Sequence, residues 1–151
     1  MGKTYVSEID IDATPARVWQ ILSDLDAYQE WNPFILQADG RAEVGNRLTL
    51  RMQPVGGTAR TLRPTVVEAR EGERLRWFGR LGLPAILDAE HSFTLHGRDG
   101  GGTRLVQEEH FGGLLVPFVA RTLERGTLPA FVLMNEALKR RAEQPVAAPR
   151  A

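Results

Sequence analysis

His91-Ser-Phe-Thr-Leu-His-Gly-Arg-Asp-Gly-Gly-Gly-Thr-Arg-Leu-Val-Gln-Glu-Glu-His-Phe-Gly112 is the stretch on which the reading of this chain turns. Two runs that alternate apolar and polar residues flank the loop Gly97-Arg-Asp-Gly-Gly-Gly102. A loop that short cannot carry a parallel crossover, so the two runs must pair antiparallel as a hairpin. A slip of one residue would turn the apolar set outward, and the register is therefore constrained. Keeping Phe93, Leu95, Leu105 and Phe111 on the core face requires partners of like parity. In the register where paired numbers sum to 200, Leu95 faces Leu105, Phe93 faces Gln107 and His91 faces Glu109. Directly opposed Cβ atoms lie roughly 4.5–5.5 Å apart, so His91 and Glu109 fall within hydrogen-bond reach. Three polar groups then point inward from an apolar face. His96 and His110 have the opposite parity and are expected to face outward.

The strand reading extends back from the hairpin to about residue 34. Leu48, Leu50 and Met52 alternate with Arg47, Thr49, Arg51 and Gln53, and Pro54-Val-Gly-Gly57 reads as a turn. Leu62, Pro64 and Val66 form one further alternating set, with Pro64 suited to an edge or bulge. Leu75 and Trp77 oppose Arg74, Arg76 and Arg80 after the turn Glu71-Gly72-Glu73. At the N-terminus Tyr5, Ser7, Ile9 and Ile11 share one face of a half-buried strand. Thr14-Pro15 then supplies an N-cap and a first-turn proline for a helix burying Val18, Trp19 and Leu22. A second short helix runs from Asp24 to Trp31 and stops at Asn32-Pro33. Beyond the hairpin, residues 114–143 read as a helix with the stripe Leu128, Phe131, Met134 and Leu138. Pro117, Gly126 and Pro129 predict a kink or break in its first half. The stripe needs a sheet face to cover it, which makes the fold α+β: a curved antiparallel sheet of about six to seven strands wrapped around a long C-terminal helix. A single domain is expected over residues 1–143, with residues 144–151 a disordered tail.

Composition narrows the function classes. A chain of 151 residues suits one domain and buries roughly 68–70 % of its unfolded surface. It has no cysteine, which excludes disulfides, iron–sulfur clusters, thiolate zinc sites and a cysteine nucleophile. Lys+Arg and Asp+Glu are 19 each, so the basic surplus of a nucleic-acid binder is missing. No apolar run approaches a membrane span and no signal-peptide pattern opens the chain, so a cytoplasmic protein is expected. Three scattered histidines argue against a metal site, and no cofactor motif is present.

The order of elements resembles a known superfamily. The motifs that carry the likeness are Thr14-Pro-Ala-Arg-Val-Trp19, Tyr28-Gln-Glu-Trp-Asn-Pro-Phe34, His91-Ser-Phe-Thr-Leu95, Gly102-Thr-Arg-Leu-Val-Gln-Glu-Glu-His-Phe-Gly112 and Met134-Asn-Glu-Ala-Leu-Lys139. Together they are similar to the START/Bet v 1-like (SRPBCC) superfamily, nearest its bacterial polyketide cyclase/dehydrase-like branch. The resemblance implies a helix-grip fold with a deep, mostly apolar cavity between the sheet and the C-terminal helix. It also implies a hydrophobic small-molecule ligand. The superfamily shares no universal catalytic residues, so fold alone does not assign a reaction.

The candidate site follows from both lines. Trp77, Phe93, Phe111, Phe131 and Met134 are expected to line the cavity, with Trp31 and Phe34 at its mouth and Asn135 beside the stripe as a hydrogen-bonding group. For His91, Gln107 and Glu109 three roles fit: a general acid/base unit, a polar pair that holds strand register, and a group that orients an apolar ligand. The leading expectation is binding of a lipid, isoprenoid or polyketide-like molecule by a monomer or homodimer. A cyclase or dehydratase using His91 and Glu109 for proton transfer stands second. A co-chaperone-like interaction module using the outward arginines stands third.

Overall fold

Alternation shapes β1 (Lys3–Ile11), which turns Tyr5 and Ile11 into the core. The Thr14 side chain accepts a hydrogen bond from the Arg17 amide and so caps α1 (Pro15–Ser23), which buries Val18, Trp19, Ile21 and Leu22. A 3-10 helix, Leu25–Glu30, follows and buries Leu25 and Tyr28. The next strands are β2 (Ile35–Asp39), β3 (Thr49–Met52), β4 (Arg60–Leu62), β5 (Thr65–Arg70) and β6 (Arg74–Arg80). The hairpin β7 (Asp88–Gly97) and β8 (Thr103–Gly112) leads into α2 (Val116–Glu143). These elements come from a computed structural model that describes residues 2–145. Apart from Gln144 and Pro145, the expected disordered tail lies outside the described residues.

The strands form two antiparallel sheets, one in the order β1-β8-β7-β6-β5 and one in the order β2-β3-β4. Within the hairpin, His91 lies opposite Glu109, Phe93 opposite Gln107 and Leu95 opposite Leu105. Eight strands thus occur among the described residues, one or two more than the alternation suggested. The difference arises partly at Pro64. The set Leu62, Pro64, Val66 reads as one strand but is split between the two sheets. Pro64 has no N–H for a ladder, yet its carbonyl accepts from Leu48 N at 2.8 Å. A bridge between Arg47 and Thr65 joins the sheets at the same point, so the small sheet folds over from the edge of the large one.

The long helix corrects part of a second expectation, since its first half is not broken. α2 is continuous from Val116 to Glu143, with neither Gly126 nor Pro129 interrupting it. Pro117 sits in the first turn, where its missing N–H has no intrahelical partner to lose. Pro129 removes one hydrogen bond, and α2 runs on through it while packing against β1 and β8. Gly126 is buried because the Pro54–Gly57 turn presses on the helix there, with Val55 N donating to Gly126 O at 3.1 Å. A Cβ at this position would meet Pro54 Cβ at 2.9 Å. Gly126→Ala would gain about 1 kcal/mol of helix propensity but force a ring atom that cannot rotate away, at roughly 1–3 kcal/mol. We expect a net loss near 1 kcal/mol, seen as a lower urea midpoint at constant slope. A raised midpoint would show that the turn yields freely.

Candidate functional site

Cross-strand pairing on the concave face of the large sheet sets the site. One row reads Trp77, His91, Glu109, Tyr5 across β6, β7, β8 and β1. The adjacent row reads Leu75, Phe93, Gln107, Ser7. Polar groups therefore sit side by side on two neighbouring rows of an otherwise apolar face. α2 places Asn135 over the second row, one residue from Met134 and four from Phe131, all three buried.

These groups form one buried hydrogen-bonded chain. His91 Nδ1 lies 3.1 Å from Glu109 Oε2, and His91 Nε2 lies 2.9 Å from Gln107 Oε1. Gln107 Nε2 donates to Asn135 Oδ1 at 2.6 Å, and Asn135 Nδ2 donates to Ser7 Oγ at 3.1 Å. In this polarity His91 Nε2–H donates to Gln107. The contact to Glu109 must then hold a further proton, on Nδ1 or on the carboxyl. Turning both amides over reverses the chain, and Nδ1–H then donates to Glu109. In either polarity both ring nitrogens of His91 and one oxygen of Glu109 are engaged. Among the described residues, Glu109 Oε1 takes part in no hydrogen bond, and it is not among the fully buried polar atoms left without a partner, so it keeps contact with solvent. Next to Glu109, burial first and the charge of Glu124 second push the Tyr5 phenol above its usual range. Its hydroxyl donates to Ala120 O at 2.9 Å.

Aromatic rings enclose the imidazole. Trp77 stacks on it at 5.4 Å, and the Phe93, Phe131 and Phe34 centroids lie at 4.7, 5.1 and 6.4 Å. Phe34 also packs on Phe131 at 5.7 Å. These rings occupy the volume where a deep cavity was expected between sheet and helix. The space beside His91 and Glu109 is instead a pocket of about 30 Å³, comparable to one water molecule. It opens between the small sheet and β6–β8, walled by Leu50, Met52, Leu62, Pro64, Trp77 and Leu81. Arg63 and Arg80 are exposed at its outer end, while His91 and Glu109 are buried at its inner end.

Of the residues named from sequence, Trp77, His91 and Glu109 line this pocket. Phe34, Phe93, Phe131, Met134, Gln107 and Asn135 are buried behind it, and Phe111 packs edge-on to Tyr5 at 5.9 Å. The placement of the mouth is corrected. Phe34 is interior, and Trp31 packs on Tyr28 at 5.1 Å and lines a separate cleft with Arg17 and Arg141. The wall residues from β3, β4 and the Leu81 region were not anticipated, because alternation marks a residue as inward without naming what it meets. Ser7 carried a signal, since it shares a face with Tyr5 and Ile9, but its partner on α2 is distant in sequence.

On the convex face, Glu68 lies within salt-bridge distance of Arg70, Arg74 and Arg76, Arg76 also meets Glu90, and Arg80 meets Asp88. The outward arginines at 74, 76 and 80 are thus balanced by local acids. Among the described residues no group of three His, Cys, Asp or Glu side chains could hold a metal ion. No helix there is long and apolar enough to cross a membrane.

A sheet that grips a long C-terminal helix, with a polar pair on its concave face, defines a START-like helix-grip protein. The chain belongs to the polyketide cyclase/dehydrase and lipid transport family, whose model matches residues 3–143. Solved structures share the fold. Protein MLL2253 from Mesorhizobium loti is 24 % identical, with 91 % of this chain and 95 % of that one covered and a TM-score of 0.72. A START superfamily protein from Mycobacterium smegmatis is 20 % identical, with 93 % and 97 % covered and a TM-score of 0.72. The Zhui aromatase/cyclase from Streptomyces sp. R1128 is 16 % identical, with 95 % and 94 % covered and a TM-score of 0.78. No curated protein matches the chain.

Proposed function

We propose that this protein binds a largely apolar small molecule (lipid, isoprenoid or polyketide-like) between the small sheet and β6–β8, with the polar end of the ligand against Glu109. The observation that carries this reading is a pair of ionisable side chains, His91 at 1 % and Glu109 at 6 % exposure, bordering a pocket with apolar walls. Polar groups at the end of an apolar pocket orient a ligand. The family description, which includes lipid transport, supports the same class. Because the pocket holds about 30 Å³, a ligand enters by displacing the side chains of β3, β4 and Leu81.

Native mass spectrometry of the purified chain, followed by extraction, tests this. A near-stoichiometric apolar adduct that Leu62→Trp removes is the expected result. A bare mass, together with no thermal stabilisation by polyketide, quinone or fatty-acid panels, would overturn it.

A second reading rests on the 3.1 Å contact between His91 and Glu109. A carboxylate backed by an imidazole can move a proton on a bound carbonyl compound, with Glu109 meeting substrate and His91 orienting it. Once a substrate is found, Glu109→Gln should lower turnover by roughly 10²–10⁴-fold. Turnover that survives this replacement excludes the assignment.

A further inference from the structure

We infer that the inner end of the pocket selects ligands that present a hydroxyl or another neutral hydrogen-bond donor, and rejects carboxylates. This rests on the binding reading above and adds the chemical class of the group that reaches Glu109. His91 cannot meet a ligand through nitrogen. Nδ1 is held by Glu109 and Nε2 by Gln107, whichever way the amides of Gln107 and Asn135 point. Glu109 Oε2 is held by His91. That leaves Glu109 Oε1 as the free polar atom at the buried end.

Its character does not depend on where the shared proton lies. With the proton on His91, Oε1 belongs to a carboxylate and accepts. With the proton on Oε2, Oε1 is the carbonyl oxygen of an acid and still accepts. A hydroxyl or N–H arriving here completes the polar chain that begins at Ser7. An ether, ketone or carboxylate would displace the solvent that reaches Oε1 and set acceptor against acceptor, which leaves that oxygen unmet. Such a mismatch discriminates more strongly than the loss of a contact between apolar groups.

The pocket dimensions fit this division of roles. About 30 Å³ accommodates a hydroxyl-sized group, not a ligand body. The body belongs further out, beside the Trp77 face and between Leu62, Pro64 and Leu81.

Isothermal titration of the full chain with three probes of one shape separates the outcomes: 2-naphthol, its methyl ether and 2-naphthoate. The naphthol is expected to bind about tenfold or more tightly than the ether, with the naphthoate weaker than both. Glu109→Leu should erase the difference between naphthol and ether. Glu109→Gln, whose amide can donate to His91 Nδ1 and leave an oxygen free, should keep most of it. Equal binding of naphthol and ether to the wild-type chain, or tightest binding of the naphthoate, overturns this inference and leaves the binding reading standing. If none of the three binds, this inference is overturned, and the binding reading is decided separately by the mass spectrometry and the ligand panels above.

Discussion

Phe131→Ala is expected to destabilise the fold by roughly 3–5 kcal/mol, at the top of the range for truncating one buried side chain. Phe131 is fully buried, packs edge-on to His91 at 5.1 Å and meets Phe34 at 5.7 Å. Its ring closes the volume between α2 and the sheet, so truncation loses both transfer free energy and contacts that neighbours cannot replace. In a domain of this size each kcal/mol shifts Tm by about 2–4 °C, giving a drop on the order of 10 °C. Calorimetry or thermal circular dichroism would read it. A loss below about 1 kcal/mol would mean that the ring is not packed in solution and that the interior stands open. The same variant should take up apolar probes more readily, because its new space adjoins the imidazole.

Gln107→Leu has the second largest expected effect. Gln107 is fully buried and is the link between His91 and Asn135, at 2.9 and 2.6 Å. Leucine fills a similar volume but leaves His91 Nε2 and Asn135 Oδ1 unmet in a low-dielectric interior. The expected cost is about 2–4 kcal/mol, since a stranded buried polar group is far more expensive than a missing hydrogen bond. The double variant Gln107→Leu/Asn135→Leu removes one stranded partner. It should therefore cost less than the sum of the single changes, with a coupling of at least about 0.5 kcal/mol in urea unfolding. Strict additivity would show that the chain of polar groups does not act as a unit.

Much of the site's geometry is legible in the sequence. The parity of Phe93, Leu95, Leu105 and Phe111 forces the hairpin register, and that register alone sets His91 opposite Glu109. Strand alternation has a period of two and an antiparallel pair has few allowed registers, so local pattern suffices there. The same reasoning puts Gln107 on the inner face. It leaves open whether Asn135 turns inward. That depends on how α2 rolls against β1 and β8, and a helical residue at the border of a stripe can face either way.

Where sequence and structure part, the cause is contact between elements far apart in the chain. Pro64 reads as an edge or bulge position, but not as the point where one sheet becomes two. Pro129 and Gly126 carry poor helix propensity, yet packing of α2 on the sheet outweighs it. Trp31 and Phe34 lie three residues apart, and the turn at Asn32 sends one to a surface cleft and the other into the core. Asn32 Oδ1 accepts from the amides of Phe34 and Ile35 at 2.9 and 2.8 Å, which fixes that divergence.

By itself the sequence determined the α+β class, the hairpin register and the inward set His91, Gln107 and Glu109, because each follows from periodicity and short connections. Only the tertiary structure decided that aromatic rings fill the interior, that β3 and β4 wall the remaining pocket, and that one oxygen of Glu109 is left free. Those outcomes depend on how side-chain volumes from five or more segments interlock and on which polar atoms satisfy one another. Neither is encoded in the pattern of any single stretch.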